Sequence, residues 1–176
     1  MSRRIKYRGA GFRQAVSLHA LRMLLLSLLM LVAHGAGADP VLADHELQTA
    51  KDSHTQLTAL HAFAKSQLQA GQPSGAAFTF ATEQAKSKLL AARLAKVEGQ
   101  NIDSLQRGLY SDAVAQQQAI DHSVAARQLA TALQGQFATL VVQPTSQTEL
   151  AIADAAMVQL SNRLIQLEQA MIASQQ

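Results

Sequence analysis

Cysteine is absent from all 176 residues, and so is tryptophan. Without a thiol the chain has no disulfide scaffold, no lipid anchor at a processed N-terminal cysteine and no cysteine nucleophile. Past Ala38 the aromatic residues are only Phe63, Phe78, Phe80, Phe137 and Tyr110. A sheet protein needs more aromatic and β-branched side chains than this, and a nucleic-acid binder needs more rings on which bases can stack. Proline is as scarce, with Pro40, Pro73 and Pro144 the only three. Long helices can therefore run without interruption.

A membrane-spanning run is also missing. The longest apolar stretch, Met23–Ala33, holds eleven residues, whereas a bilayer core of about 30 Å takes roughly 20. Eleven suits the hydrophobic region of a secretory signal. Arg3, Arg4, Lys6, Arg8, Arg13 and Arg22 precede it, no acidic residue occurs before Asp39, and Ala36-Gly37-Ala38 supplies the small-x-small pattern of a signal-peptidase site. The expectation is a cleaved signal over residues 1–38, with cleavage after Ala38. The alternative is an uncleaved N-terminal anchor, because the basic region is long. Cleavage would place residues 39–176 in the periplasm or beyond it, with no stable membrane span.

The leader carries six of the 15 basic residues and none of the 12 acidic ones, which leaves nine against twelve in the remainder. The high isoelectric point thus belongs to the leader, and the case for nucleic acid as a partner loses its electrostatic support.

What remains is rich in helix formers. Residues 39–176 contain 27 Ala and 21 Gln, respectively the best and a good helix former. The reading is an all-α single domain, an elongated antiparallel bundle of three to four long helices. Asp44 caps a first helix over 45–70, with Leu47, Ala50, Leu57, Ala64 and Leu68 inward, and Gly71-Gln72-Pro73-Ser74-Gly75 ends it. A second helix over 76–98 presents Ala81, Ala85, Leu89 or Leu90, Leu94 and Val97, and stops near Gly99. Its opening alternates like a strand, but a single short strand without a partner is unstable. After a broken stretch at 100–110, Ser111 or Asp112 caps a third helix to Val142, with Ile120, Val124, Leu133, Phe137 and Leu140 inward. The region 71–110 is either a fourth bundle helix or a small appendage.

The last segment has the clearest pattern. Ser146 and Glu149 frame a capping box, in which the hydroxyl accepts from the Glu149 N–H and the carboxylate reaches back. Behind it Leu150, Ala153, Met157, Leu160, Leu164, Leu167 and Met171 recur at alternating spacings of three and four. That 3.5-residue repeat holds them on one stripe, to be covered by sister helices or by a neighbouring subunit.

Chemistry is hard to find. His45, His54 and His61 are spaced by nine and seven, whereas ligands on one helix need three or four. They read as polar residues on the edge of an apolar stripe, with pH-dependent stability as a secondary expectation if they enter the seam. Asp121, His122 and Ser123 are neighbours in sequence and diverge on a helix, so they form no catalytic triad. No G-x-S-x-G motif and no glycine-rich phosphate loop occurs. The carboxylates read as solvated. The expectation is a protein without catalytic residues, metal or cofactor.

One resemblance adds to this reading. The terminal segment Thr145–Gln176, with Asn162-Arg163-Leu164 at its centre and the tail Leu167–Gln175, behind a signal peptide and Ala/Gln-rich helices, resembles the minor pilins of type IV secretion and conjugation systems. At about 138 residues the processed chain is shorter than the family pattern. The resemblance implies a pilus-tip protein without catalysis, whose partners are other subunits of the assembly and the surface of a recipient cell. A periplasmic helical chaperone or envelope-stress sensor is the alternative, although Leu57–His61 lacks the Gln of the sensors' Leu-Thr-x-x-Gln repeat.

Overall fold

The computed structural model describes residues 40–176. The expected leader and its cleavage point lie outside the described residues. Within them the chain forms four helices and no strand: α1 (Pro40–Gln69), α2 (Pro73–Gln106), α3 (Ala113–Val142) and α4 (Gln147–Ser174). At 28 to 34 residues each, they run about 42–51 Å. Among the described residues, no helix is long and apolar enough to cross a membrane.

Each helix lies antiparallel to the next, as the cross-links between them show. Lys86 donates to Gln56 and Lys96 pairs with Glu46 between α1 and α2. Arg127 pairs with Glu98 between α2 and α3, and Arg163 meets His122 between α3 and α4. These three seams are close-packed. Helices α1 and α4 close the ring more loosely, spanned by side chains such as Lys51 to Glu168 at 2.7 Å.

The region 71–110 is thus a full member of the bundle, because α2 continues through Gly99 and Asn101 to Gln106. Gly99 costs about 1 kcal/mol of helix propensity relative to alanine, which the flanking buried residues Leu94, Val97 and Asn101 outweigh by packing. Helix α1 also starts sooner than Asp44, at Pro40, a residue suited to a first turn because the N–H it lacks has no helical partner there. Positive φ confines two turns to glycine, Gly71 after α1 and Gly108 after α2.

The core is a set of heptad seams. Helix α3 buries Ala119, Ser123, Ala126, Ala130, Leu133, Phe137 and Leu140, and α2 buries Ala76, Phe80, Glu83, Ser87, Leu90, Leu94, Val97, Asn101 and Ser104. Both alternate threes and fours, the packing mode of left-handed bundles. In α2 this phase differs from the expected one: Ala81, Ala85 and Leu89 face outward, because Glu83 and Ser87 take seam positions. Val124 is half-buried rather than inward. Phe80 and Phe137 stack at 6.4 Å inside the core, toward the end of the bundle where α1 turns into α2.

Candidate functional site

The inner stripe of α4 is where its spacing put it. Leu150, Ala153, Met157, Leu160, Leu164, Leu167 and Met171 are all buried against the other three helices of the same chain. At the helix start, Ser146 accepts from the Glu149 N–H at a loose 3.5 Å. The reciprocal arm of the capping box is not made. The Glu149 carboxylate accepts from Gln136 of α3 instead, and the Ser146 N–H donates to the Gln143 carbonyl. The start of α4 is therefore tied sideways to its neighbour.

The less expected arrangement lies on α1. Of its three histidines, His45 is exposed, His54 half-buried and His61 buried. His61 occupies a heptad position of α1 together with Leu57, Ala64 and Leu68, which turns its ring into the bundle. Its Nδ1 lies 2.9 Å from Oε2 of Glu83 on α2, and its Nε2 lies 3.1 Å from Oδ1 of Asp154 on α4. One imidazole thus links three helices. The ring packs beside Phe80 and Phe137, with centroids 6.1 and 5.6 Å away. Lys65, one turn further along α1, donates to both oxygens of Asp154.

The electrostatics of the two carboxylates diverge. Glu83 is wholly enclosed, and its Oε1 has no hydrogen-bond partner. Burial pushes its carboxyl above the usual carboxylate range, and His61 only partly offsets this. For Asp154 partial burial acts upward, but the hydrogen bond and charge of Lys65, joined by His61, outweigh it and hold the carboxyl below that range. Both ring nitrogens of His61 can donate together only as the imidazolium; a neutral ring satisfies both carboxyls only if one keeps its proton. The tautomer and charge of the ring thus decide whether it donates to Glu83 on α2, to Asp154 on α4 or to both.

Next to it, on the α1–α4 side, a cavity of about 510 Å³ is lined by His61, Lys65, Asp154, Met157 and Val158, among others. The polar tips of His61, Lys65 and Ser66 along its wall are already engaged. Nε2 is held by Asp154, Lys65 is held by Asp154, and the Ser66 hydroxyl donates to the Phe63 carbonyl at 2.7 Å. The geometry is that of a clasp: it joins the loose seam and directs no free nucleophile at the opening. Among the described residues, no group of three or more His, Asp or Glu could hold a metal ion.

Further along the seam, Nε2 of His54 meets the Met157 carbonyl at 3.3 Å. Burial lowers the His54 pKa, and this hydrogen bond only partly counteracts it. His122 lies beside Arg163, and burial followed by that positive charge lowers its pKa as well. Ser123 points elsewhere, donating to the Ile120 carbonyl.

A second polar layer sits near one end of the bundle. The buried Gln116 amide donates to both the backbone and side-chain oxygens of Asn101. Among apolar neighbours, such a pair fixes how α2 and α3 slide against each other.

Glu83 and Asp154 are the site residues that sequence reasoning missed. The signal was present: Ala76, Phe80, Glu83, Ser87 and Leu90 follow the same three-four spacing as the stripe on α4. Comparison with known proteins finds no matching family model, no matching curated protein and no matching solved structure.

Proposed function

We propose that this chain is an exported helical assembly protein without catalysis of its own. It acts as a minor pilin at the tip of a type IV secretion or conjugation pilus, in assembly or in contact with another cell. The observation that carries the protein-contact part is the outer face of α4. Its outward positions include the large apolar Ile152, Val158, Ile165 and Ile172, while the charged Asp154, Arg163 and Glu168 lie on the flanks, where they meet side chains of the adjoining helices. A long face with large apolar side chains and charges only at its edges favours contact with another protein. The leader and the likeness of Thr145–Gln176 supply the rest of the reading.

Deletion of the gene tests it. The reading expects processed protein in the periplasm and the pilus fraction, and loss of pili or of transfer on deletion; intact pili and transfer would refute it. A second reading, a periplasmic chaperone or envelope-stress sensor, is favoured by the loose α1–α4 seam with its largely apolar cavity. Suppression of client aggregation at stoichiometric ratios would support that reading over the first.

A further inference from the structure

His61 holds α1 to both α2 and α4, and its two contacts are unequally supported. Each ring nitrogen lies at hydrogen-bond distance from a carboxylate oxygen, 2.9 Å at Glu83 and 3.1 Å at Asp154. Two such lines need two protons, one in each. Both protons can sit on the ring, or one can sit on Glu83, and either way both lines are made. A third proton, placed on Glu83 beside a charged ring, leaves both lines intact. With a single proton, one nitrogen lone pair faces a carboxylate oxygen, and that contact turns repulsive.

Which contact fails is set by what else each carboxylate has. Glu83 is wholly buried, and its Oε1 accepts no hydrogen bond. Asp154 is partly exposed and holds Lys65 through both oxygens. A buried carboxylate stripped of its donor costs far more than one that keeps a lysine and water. The last proton therefore stays on Nδ1, facing Glu83, and Nε2 turns a bare lone pair toward Asp154. From this we infer that the α1–α4 seam is a proton-dependent latch. As pH rises the His61 trio loses one proton, the His61–Asp154 contact breaks, and α4 loosens from α1 there while α2 stays attached.

The break falls where the bundle resists least. Close backbone approach is sparse between α1 and α4, and His61 and Asp154 both line the cavity on that side. The partly exposed pairs Lys51–Glu168 and Lys65–Asp154 still cross the seam, but such pairs hold weakly in water. His54 also crosses it, to the Met157 carbonyl, and acts in the opposite sense: its pKa is lowered, so its contribution is lost as pH falls. On α2, Lys86 lies one turn beyond Glu83 and donates to Gln56. Helix α3 presents Phe137, and its ionisable residues Asp121, His122 and Arg127 lie about 15 Å or more along the helix from that ring. On α4, Glu149 is held by Gln136, Arg163 is engaged with His122 and Gln166, and Glu168 is held by Lys51. Burial raises the Glu83 carboxyl, and a raised group loses its contribution as pH rises, the same sign as the latch. The Asp154 carboxyl is held low, so its contribution fades only in acid.

Two natural methionines report on the seam. Met157 and Met171 are both buried on α4, and Met157 lines the cavity beside Asp154. Met171 lies about 21 Å further along the helix and serves as the reference. A thioether has no proton to titrate, so its oxidation to sulfoxide by hydrogen peroxide follows access to the sulfur. In the purified protein, peptide mass spectrometry should show the Met157-to-Met171 rate ratio rising at least about threefold from about pH 6 to about pH 9. Glu83→Gln removes the need for a second proton, because its carboxamide donates to Nδ1 and leaves the Nε2–H for Asp154. Its ratio should stay flat over the same range. Asp154→Asn, at a partly exposed position, should do likewise by donating to Nε2. A flat ratio in the wild type overturns the inference, and so does a rise as steep as the wild type's in either variant that keeps its helical circular dichroism. Nitrogen chemical shifts of His61 test which contact is released. At about pH 9 the neutral ring should carry its proton on Nδ1; an Nε2–H tautomer overturns the release of α4.

Discussion

Replacing His61 with leucine removes the one side chain that joins α1, α2 and α4. Asp154 keeps Lys65 at 2.7 Å, so the residue left stranded is Glu83, wholly buried and with one oxygen already unpartnered. Removing one member of a buried pair costs about 3–5 kcal/mol, a large share of the roughly 5–15 kcal/mol that holds a domain folded. For a chain of this size, melting should fall by about 10–15 °C at neutral pH. The loss is expected to reverse in the double variant His61→Leu/Glu83→Leu, since an apolar replacement of a whole buried pair is often neutral or stabilising. Acidity should also soften it. A carboxyl whose folded pKa is raised binds its proton more tightly in the folded state. Its contribution is fully present below its ordinary value of 4.5 and is lost as pH rises through the folded pKa. The deficit of His61→Leu should therefore be smaller at about pH 5 than at about pH 7.5. Thermal unfolding followed by circular dichroism at both values measures all three effects. A single variant that costs less than about 1 kcal/mol, or a double variant no more stable than the single, would refute the role of the clasp.

Other expectations concern the helix faces and ends. Leu160→Asp and Leu164→Asp should each cost several kcal/mol by burying an unpaired carboxylate, whereas Gln159→Asp or Gln166→Asp should cost only about 0.5 kcal/mol of helix propensity; equal melting losses on both faces would disprove the assignment of the stripe. His54, with its pKa lowered in the folded state, contributes stability that is present above its ordinary value and lost as pH falls through the lowered one. His54→Gln should therefore flatten the acid side of the melting-versus-pH curve. Asp112 caps α3 with contacts at 2.9 and 3.0 Å, while Ser146 caps α4 at 3.5 Å. Asp112→Ala should thus cost about 1 kcal/mol in denaturant titration and Ser146→Ala about half of that.

The stripe on α4 was readable because every one of its seam residues is apolar. The same repeat in α2 was obscured by Glu83 and Ser87. A search for apolar periodicity rejects them and slips onto Ala81 and Ala85, which the structure places outside. Loop signals at Gly71–Pro73 and around Pro144 marked real turns. Gly99 and Asn101 resembled a break, yet burial on both sides carries the helix through them. His61 was visible as a residue, but its partners stand 22 and 93 positions away, and no local pattern reveals which carboxylates two other helices will bring to a ring.

Close backbone approach in this bundle joins helices that follow one another along the chain. Each hairpin can therefore zip as soon as its second helix exists, with short loops and little entropy lost to closure. Only the meeting of α1 with α4 must wait for the whole chain, and it is stitched mainly by side chains, with little close backbone approach. The geometry thus separates three local pairings from one long-range closure, at the seam where opening disturbs the fewest interhelical contacts.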